Sequence, residues 1–280
     1  MQNSNPLSGH FRQPAIFLKL PSGGKYWPNG SIILPASGEV AVMPMTTKDE
    51  IMLRTPDALM NGQGVVSVIE SCIPEIKNAW AAPTIDMDAI LIAIRVATYG
   101  DTMQMDSKCT ACEAENSHGI ALTNMLLTLR SPDYNKFLVQ DGLTFKFKPQ
   151  NYYQSNKNNM NEFEEQKIIQ LINNEDIDAD TRKAQFDIHL QKIIDNNINI
   201  LAQSTESITT ESGDVVSEQE YIIDFYKNAP NPTIRAVQSK LKEISDEGSI
   251  KPARVVCEEC NHEYNVSMVF DYANFFVPLS

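Results

Sequence analysis

The chain has 280 residues, enough for one large domain or two smaller ones, and 42% of them are hydrophobic, enough to fill a core. Its formal net charge is −13 and it holds no cluster of Lys and Arg, which is a poor match to a phosphate backbone and argues against a nucleic-acid-binding role. No apolar run is long enough to span a bilayer; the most apolar helical stretch, Ile90 to Val96, contains Arg95.

Residues 1–13 read as a polar arm. Ala15 to Leu20 reads as a strand, Pro21 to Lys25 as a turn, and Tyr26-Trp27 follows. Ser22-Gly23-Gly24-Lys25 has the composition of a phosphate loop, but the spacing fails and Tyr26 stands where a Ser or Thr would hold magnesium. Ser31 to Leu34 and Glu39 to Met43 read as two further strands around Ala36-Ser37-Gly38, so the N-terminal part is expected to open as a small antiparallel β-meander. Thr47-Lys48-Asp49-Glu50 has the form of a capping box, with Asp49 and Glu50 suited to the positive end of a helix. Pro56 is a good first residue for a short second helix that stops near Asn61-Gly62. Val65, Val66, Val68 and Ile69 form the apolar face of a helix running into Cys72, a lone thiol read as a small core residue. Ile85, Ala89, Ile92, Val96 and Tyr99 give an amphipathic helix over residues 85–99, ended by Gly100 and predicted to pack on the meander.

Next comes the first of two matched turns. Thr102 to Asp106 alternates polar and apolar residues as a strand does, and leads into Cys109-Thr110-Ala111-Cys112. A polar tip with His118 follows, then Ile120 and Leu122. The second turn repeats the pattern. Ala253 to Val256 leads into Cys257-Glu258-Glu259-Cys260, then His262, then Tyr264, Val266, Met268 and Phe270 at period two. Between Cys112 and Cys257 lie 144 residues.

That intervening region reads as a mainly helical insertion. Leu143 to Pro149 is a strand, and the Asn-, Gln- and Ser-rich residues 151–161 read as an exposed loop. Helices are predicted over 162–173 and 178–202, the second with Phe186, Leu190, Ile193-Ile194 and Ile198 at three-to-four spacing. Residues 204–214 read as a loop or as a β-turn around Ser212-Gly213. Ser217 is placed as the cap, with Glu220, of a helix over 218–228. Pro232 opens a last helix that turns Ile234, Val237, Leu241 and Ile244 inward. These stripes read as bundle core, with a partner-binding groove as the alternative for one of them.

Two strand–turn–strand knuckles of this kind can close one tetrahedral metal site. Zinc holds four thiolates at about 2.3 Å, and with no open position such a site is structural, not catalytic. Cys109, Cys112, Cys257 and Cys260 are therefore the candidate ligands, with zinc as the structural cofactor and His118 or His262 as possible replacements for one thiolate. Three alternatives compete with this reading. A thioredoxin-like pair would want a βαβ context, which is not seen. Disulfides would want an oxidising compartment, whereas the cysteine usage and the lack of a signal-peptide pattern suggest a reducing cytosol. The third is two unrelated reduced turns. No motif places an acid, a base and a nucleophile together, so no catalytic residue is assigned and the chain is read as a non-enzyme.

Several stretches together resemble the baseplate hub family of T-even-like, contractile-tailed bacteriophages. They are the strand from Pro14 into Leu20-Pro21-Ser22-Gly23-Gly24-Lys25-Tyr26-Trp27, then Met45 to Glu50, then Arg54-Thr55-Pro56-Asp57-Ala58-Leu59-Met60-Asn61-Gly62. Val66 to Cys72 and Asp88 to Gly100 follow, and the resemblance ends in Phe270 to Phe276. It covers about residues 10–125 and 253–277, and the region from Thr123 to Ser249 departs from it. Some members of that family lack the paired cysteines. The resemblance implies a structural or assembly role in the central hub of a tail baseplate, with other baseplate, hub and tail proteins as partners in a hetero-oligomeric assembly. The implied location is the host cytoplasm during assembly and the virion tail. Two alternatives stay open: an assembly chaperone of the hub that leaves before the virion is complete, and a nucleic-acid-associated zinc-ribbon protein. Tyr26-Trp27 and Phe275-Phe276 are candidate interface anchors, though both could equally be core.

The expected fold class is α+β. Residues 1–101 form a β-meander with packed helices, residues 102–122 and 253–280 a split zinc ribbon, and residues 123–252 a helical lobe.

Overall fold

The computed structural model describes residues 6–55, 61–172 and 179–266. Two compact units divide the chain: residues 1–130 with 249–280, and residues 131–248. The architecture is mixed, with helices and small antiparallel sheets.

The first unit starts from one antiparallel ladder, β1 (Ile16–Lys19) with β2 (Glu39–Val42), in the register Ile16↔Val42 to Lys19↔Glu39. Period-two alternation turns Leu18, Val40 and Val42 inward and leaves Phe17 outside. The expected third strand at Ser31 to Leu34 is not formed; this stretch makes only isolated bridges. Its backbone bonds go elsewhere: the Ser31 carbonyl accepts from the N–H groups of Lys77 and Asn78, and Ile33 N–H donates to Glu75 O. The meander is therefore a two-stranded ladder with a tethered loop.

Helix α1 (Thr47–Leu53) is capped one residue earlier than its sequence suggests. Thr46, not Thr47, is the N-cap, and Asp49, not Glu50, closes the box. Buried Asp49 also takes the Arg12 guanidinium at 3.2 Å, while Glu50 accepts from the Tyr99 hydroxyl. Arg12 further donates to the Pro44 and Ser71 carbonyls, which ties the polar arm down. The short helix expected from Pro56 falls largely outside the described residues. Helix α2 (Gln63–Cys72) buries Val65, Val66, Val68, Ile69 and Cys72, as its spacing predicts.

Helix α3 (Thr84–Tyr99) departs from the amphipathic expectation. Met87 and every residue from Ala89 to Arg95 are buried, so it is enclosed nearly all round. It packs on β1, β2, α2 and α4 (Leu122–Thr128). A helix apolar on all sides belongs in a core. At its first turn, buried Asp86 accepts from Ser22 N–H, the Ser22 hydroxyl and Trp27 Nε1 at 2.6–2.8 Å. Burial pushes the Asp86 carboxyl up, while the Ser22 and Trp27 donors draw it down. The glycine turn before Trp27 is thus a clasp on α3, not a phosphate loop. Trp27 is core, not an interface anchor; Tyr26 is exposed. Phe275 and Phe276 lie outside the described residues. Two hairpins complete this unit: β3 (Thr102–Lys108) with β4 (Glu115–Ala121), and β9 (Ala253–Val256) with β10 (Glu263–Val266).

The second unit is less purely helical than expected. It carries a four-stranded antiparallel sheet in the order β5 (Leu138–Gln140), β6 (Leu143–Phe147), β7 (Thr205–Thr209), β8 (Val215–Val216). The loop predicted after Ala202 is therefore largely a strand and its turn. Phe145, Phe147, Ile208, Leu201, Ile222, Tyr226, Val237 and Ile244 form the core. Helix α5 (Tyr152–Ile172) absorbs the stretch expected to be a loop. Asn151 and Gln154 cap it reciprocally: Gln154 N–H donates to Asn151 Oδ1 and Asn151 N–H to Gln154 Oε1. Its amides pair with α6 (Ala179–Ser204), Asn158 with Gln203 and Asn161 with Asn196. Glu165 meets His189 at 2.6 Å in the same helix pair. The apolar stripe of α6 is core only near its C-terminal end. Phe186, Leu190 and Ile194 are each more than 40% exposed, so bundle core is the wrong reading for them.

Helix α7 (Gln219–Asn228) has Glu218 as N-cap with no side-chain cap bond, so Ser217 does not play the expected role. Helix α8 (Asn231–Gly248) buries Val237 and Ile244, and Ile234 and Leu241 pack on the same core. Because α5 has a side-chain cap at Asn151 and α7 has none at Ser217, Asn151→Ala should cost about 1 kcal/mol. Ser217→Ala should stay within about 0.5 kcal/mol of wild type. Urea unfolding followed by circular dichroism reads both; equal effects would contradict this assignment.

Candidate metal centre

The two hairpin turns share one backbone design. Cys109 N–H donates to Ala114 O and Cys257 N–H to His262 O, each at 2.9 Å. Glu113 N–H returns to Cys109 O and Asn261 N–H to Cys257 O, each at 3.0 Å. The fourth residue after the first cysteine takes a left-handed conformation in both, Glu113 at φ 60° and Asn261 at φ 56°. Asn tolerates that region well; Glu does so at some cost.

These turns bring the four sulfurs within 4.8 Å of one another. Cys109 Sγ lies 3.7 Å from Cys260 Sγ, and Cys112 Sγ lies 3.6 Å from Cys257 Sγ. A tetrahedron of sulfurs about 2.3 Å from a central ion has edges of about 3.8 Å. The pairs therefore sit at ligand spacing. The first cysteine of each turn is buried and the second exposed. Neither histidine joins the cluster. His118 Nε2 lies 3.2 Å from the Tyr264 hydroxyl, and His262 uses its backbone carbonyl to hold the turn.

The electrostatics favour a cation. The backbone N–H of Cys260, then that of Glu259 and the Asn116 amide, outweigh burial and hold the Cys257 thiol down, at about 6. The Ala114 N–H draws Cys112 down too, but the other three sulfurs and burial push it up to about 12. Cys260 is also pushed up, the N–H of His262 and the Cys112 thiol being opposed by burial and by Cys109 and Cys257. Sulfurs this close repel one another as thiolates. A divalent ion reverses the balance, since a coordinating thiol is deprotonated outright. The four cysteines can thus bind a metal.

Two further residues hold the turns together, and neither is signalled by the cysteine spacing. Buried Asn116 donates to Cys257 Sγ at 3.6 Å and to Ala114 O at 2.9 Å, and accepts from Glu258 N–H at 2.9 Å. Tyr264 reaches the other way, its hydroxyl 2.8 Å from Ser107 Oγ and within reach of His118. Asn116 and Tyr264 occupy the same place, seven residues after the first cysteine of their own turn. Each hairpin therefore sends one buried arm into the other.

A family model described as T4 bacteriophage base plate protein matches residues 13–277, which takes in the middle region as well as both hairpins. The chain belongs to this phage baseplate family. No curated protein and no solved structure matches it. Membership makes it a phage baseplate protein, and the four-cysteine cluster is a feature of its own sequence and geometry.

Asn116→Asp keeps the acceptor for Glu258 N–H but sets a carboxylate against the Cys257 sulfur. Metal affinity should fall about 10- to 100-fold, the usual effect of losing an outer hydrogen bond at a metal site. Competition with a chromophoric chelator checks this; an unchanged affinity would show that the amide does not tune the site.

Proposed function

We propose that this protein is a structural or assembly component of the central hub of the contractile-tail baseplate, working through protein–protein contacts. Two hairpins would be joined by one structural Zn²⁺ bound to Cys109, Cys112, Cys257 and Cys260. The family match over residues 13–277 carries the baseplate part. The order of the motifs from Pro14 to Gly100 supports the hub. The sulfur spacing and the all-thiolate donor set support zinc, which favours four sulfurs in a closed shell. On this reading residues 102–122 and 253–280 are a split zinc ribbon, and the lobe between them is carried across the clip. Its acidity suits docking against basic protein surfaces in the host cytoplasm during assembly, and not against nucleic acid.

A metal clip has a clear energetic purpose. Closing a chain over 144 residues costs entropy, though the cost grows slowly with length. Structural zinc contributes on the order of 10 kcal/mol in small folds. The purified protein should hold one zinc per chain by elemental mass spectrometry, and Cys257→Ser should lose it. Hydrogen exchange should then rise in β9 and β10, and in the second unit, while β1, β2 and α3 keep their protection; unchanged exchange in β9 and β10 would remove the clip. Quantitative mass spectrometry of virions beside infected-cell lysate tests the hub role. A small fixed copy number per virion is the expected result for a hub component. Abundance in lysate with absence from virions would make it an assembly factor, and absence from tails and from assembly intermediates alike would overturn the proposal.

A further inference from the structure

Both hairpins of the cysteine cluster are two-stranded ladders, and among the described residues neither carries a third strand. Backbone groups on the outer edge of a strand must find water or another chain. β4 and β9 both border one open groove of about 490 Å³. Residues 118–121 line it on one side and residues 251–255 on the other, with Asn124, Met125 and Thr128 of α4 completing the wall. These lining residues are consecutive on each strand. A strand face shows every second residue, whereas an edge shows every one. The groove therefore runs along backbone edges.

The lining is chemically one-sided. Lys251, Arg254 and His118 contribute to it and, among the described residues, no acid does, in a chain whose net charge is −13. Arg254 also contacts Glu263 of β10, but both side chains are more than half exposed, and a surface pair of this kind is readily exchanged. Along β9 the alternation is regular: Ala253 half-buried, Arg254 exposed, Val255 buried. A strand laid beside β9 would set alternate side chains next to Arg254 in solvent and next to Ala253 and Val255, in a groove that Ile120, Ala121 and Met125 also line.

We propose that this groove receives an extended segment of another baseplate protein, in which acidic and small apolar residues alternate, and that the segment pairs its backbone with the open edge of β9. Main-chain hydrogen bonds supply affinity in such strand addition, and the alternate side chains supply specificity. At about 3.3 Å per residue, the four-residue strand β9 accommodates a segment of four or five residues. The proposal rests on the baseplate reading above and names the kind of partner that reading requires.

The test uses the full chain during infection. p-Benzoylphenylalanine is placed at Asn124, at Pro252 or, as a control away from the groove, at Lys48. Tails and assembly intermediates are purified and irradiated, and the attached peptide is sequenced by mass spectrometry. Both groove positions should label one and the same segment of another tail protein, with alternating acidic and apolar residues, and Lys48 should not label it. Attachment to a second copy of this chain, to its own residues, or to a segment without that pattern would overturn the proposal, as would no attachment at all. A Lys251→Glu/Arg254→Glu double variant should enter tails or intermediates at least tenfold less while its zinc content stays unchanged; undiminished entry overturns the proposal. If the unaltered chain is missing from tails and intermediates alike, the baseplate reading fails. If it is present and the groove stays unlabelled, the groove alone fails.

Discussion

Four sulfurs held within 4.8 Å are the constraint on which the middle of this protein turns. They must be kept protonated or share a cation, and the backbone around them favours the second outcome. Several N–H groups point at the sulfur atoms, Ala111 N–H toward Cys109 among them. An N–H aimed at sulfur stabilises a thiolate far more than a thiol, whose sulfur is only a weak acceptor. The donors are the same in kind on both hairpins, because the two turns repeat one hydrogen-bond scheme. Asn116 and Tyr264 then lock the hairpins reciprocally, so the four cysteines are braced by residues outside the cluster.

The part of this centre that could be read from the sequence is the part that is local. A Cys-x-x-Cys turn is four residues long, so its two candidate ligands show in the letters even though the cluster itself forms only when both turns meet. The flanking strands show for the same reason, since period-two alternation survives around both turns. Asn116 and Tyr264 do not show. They hold equivalent positions, but one acts through an amide and the other through a phenol, so no shared letter marks them. Their function exists only once the second hairpin has come back across 144 residues.

The fold beyond the centre divides along the same line. The spacing of Val65, Val66, Val68 and Ile69 gives a helix face whose partner matters little, and it is found as expected. Ser31 to Leu34 has strand-forming residues, yet Ser31 O is taken by Lys77 and Asn78, and no ladder forms. Residues 151–161 have the composition of a loop because Asn and Ser compete with helix backbone bonds. Amide pairs with α6 and the Asn151–Gln154 cap reverse that preference. The stripe on α6 marks a face correctly but cannot say what covers it, and Phe186, Leu190 and Ile194 are left in solvent. Periodicity identifies a face; burial is a property of whatever lies opposite.

An isolated two-stranded hairpin is marginal in water. Most proteins stabilise one by adding strands, which consumes the free edges. Here the hairpins are joined along their faces by Tyr264 and Asn116, and among the described residues neither ladder carries a third strand. A small ribbon stabilised in this way can keep β4 and β9 open without losing its shape. Open edges are a hazard in a free protein, because they pair with whatever strand arrives. Lys251 and Arg254 beside the β9 edge limit that hazard, since charge discourages pairing with another apolar strand while leaving the edge accessible to an acidic one. For a baseplate protein, an edge that carries no partner strand among the described residues and is selective by charge is a usable joint.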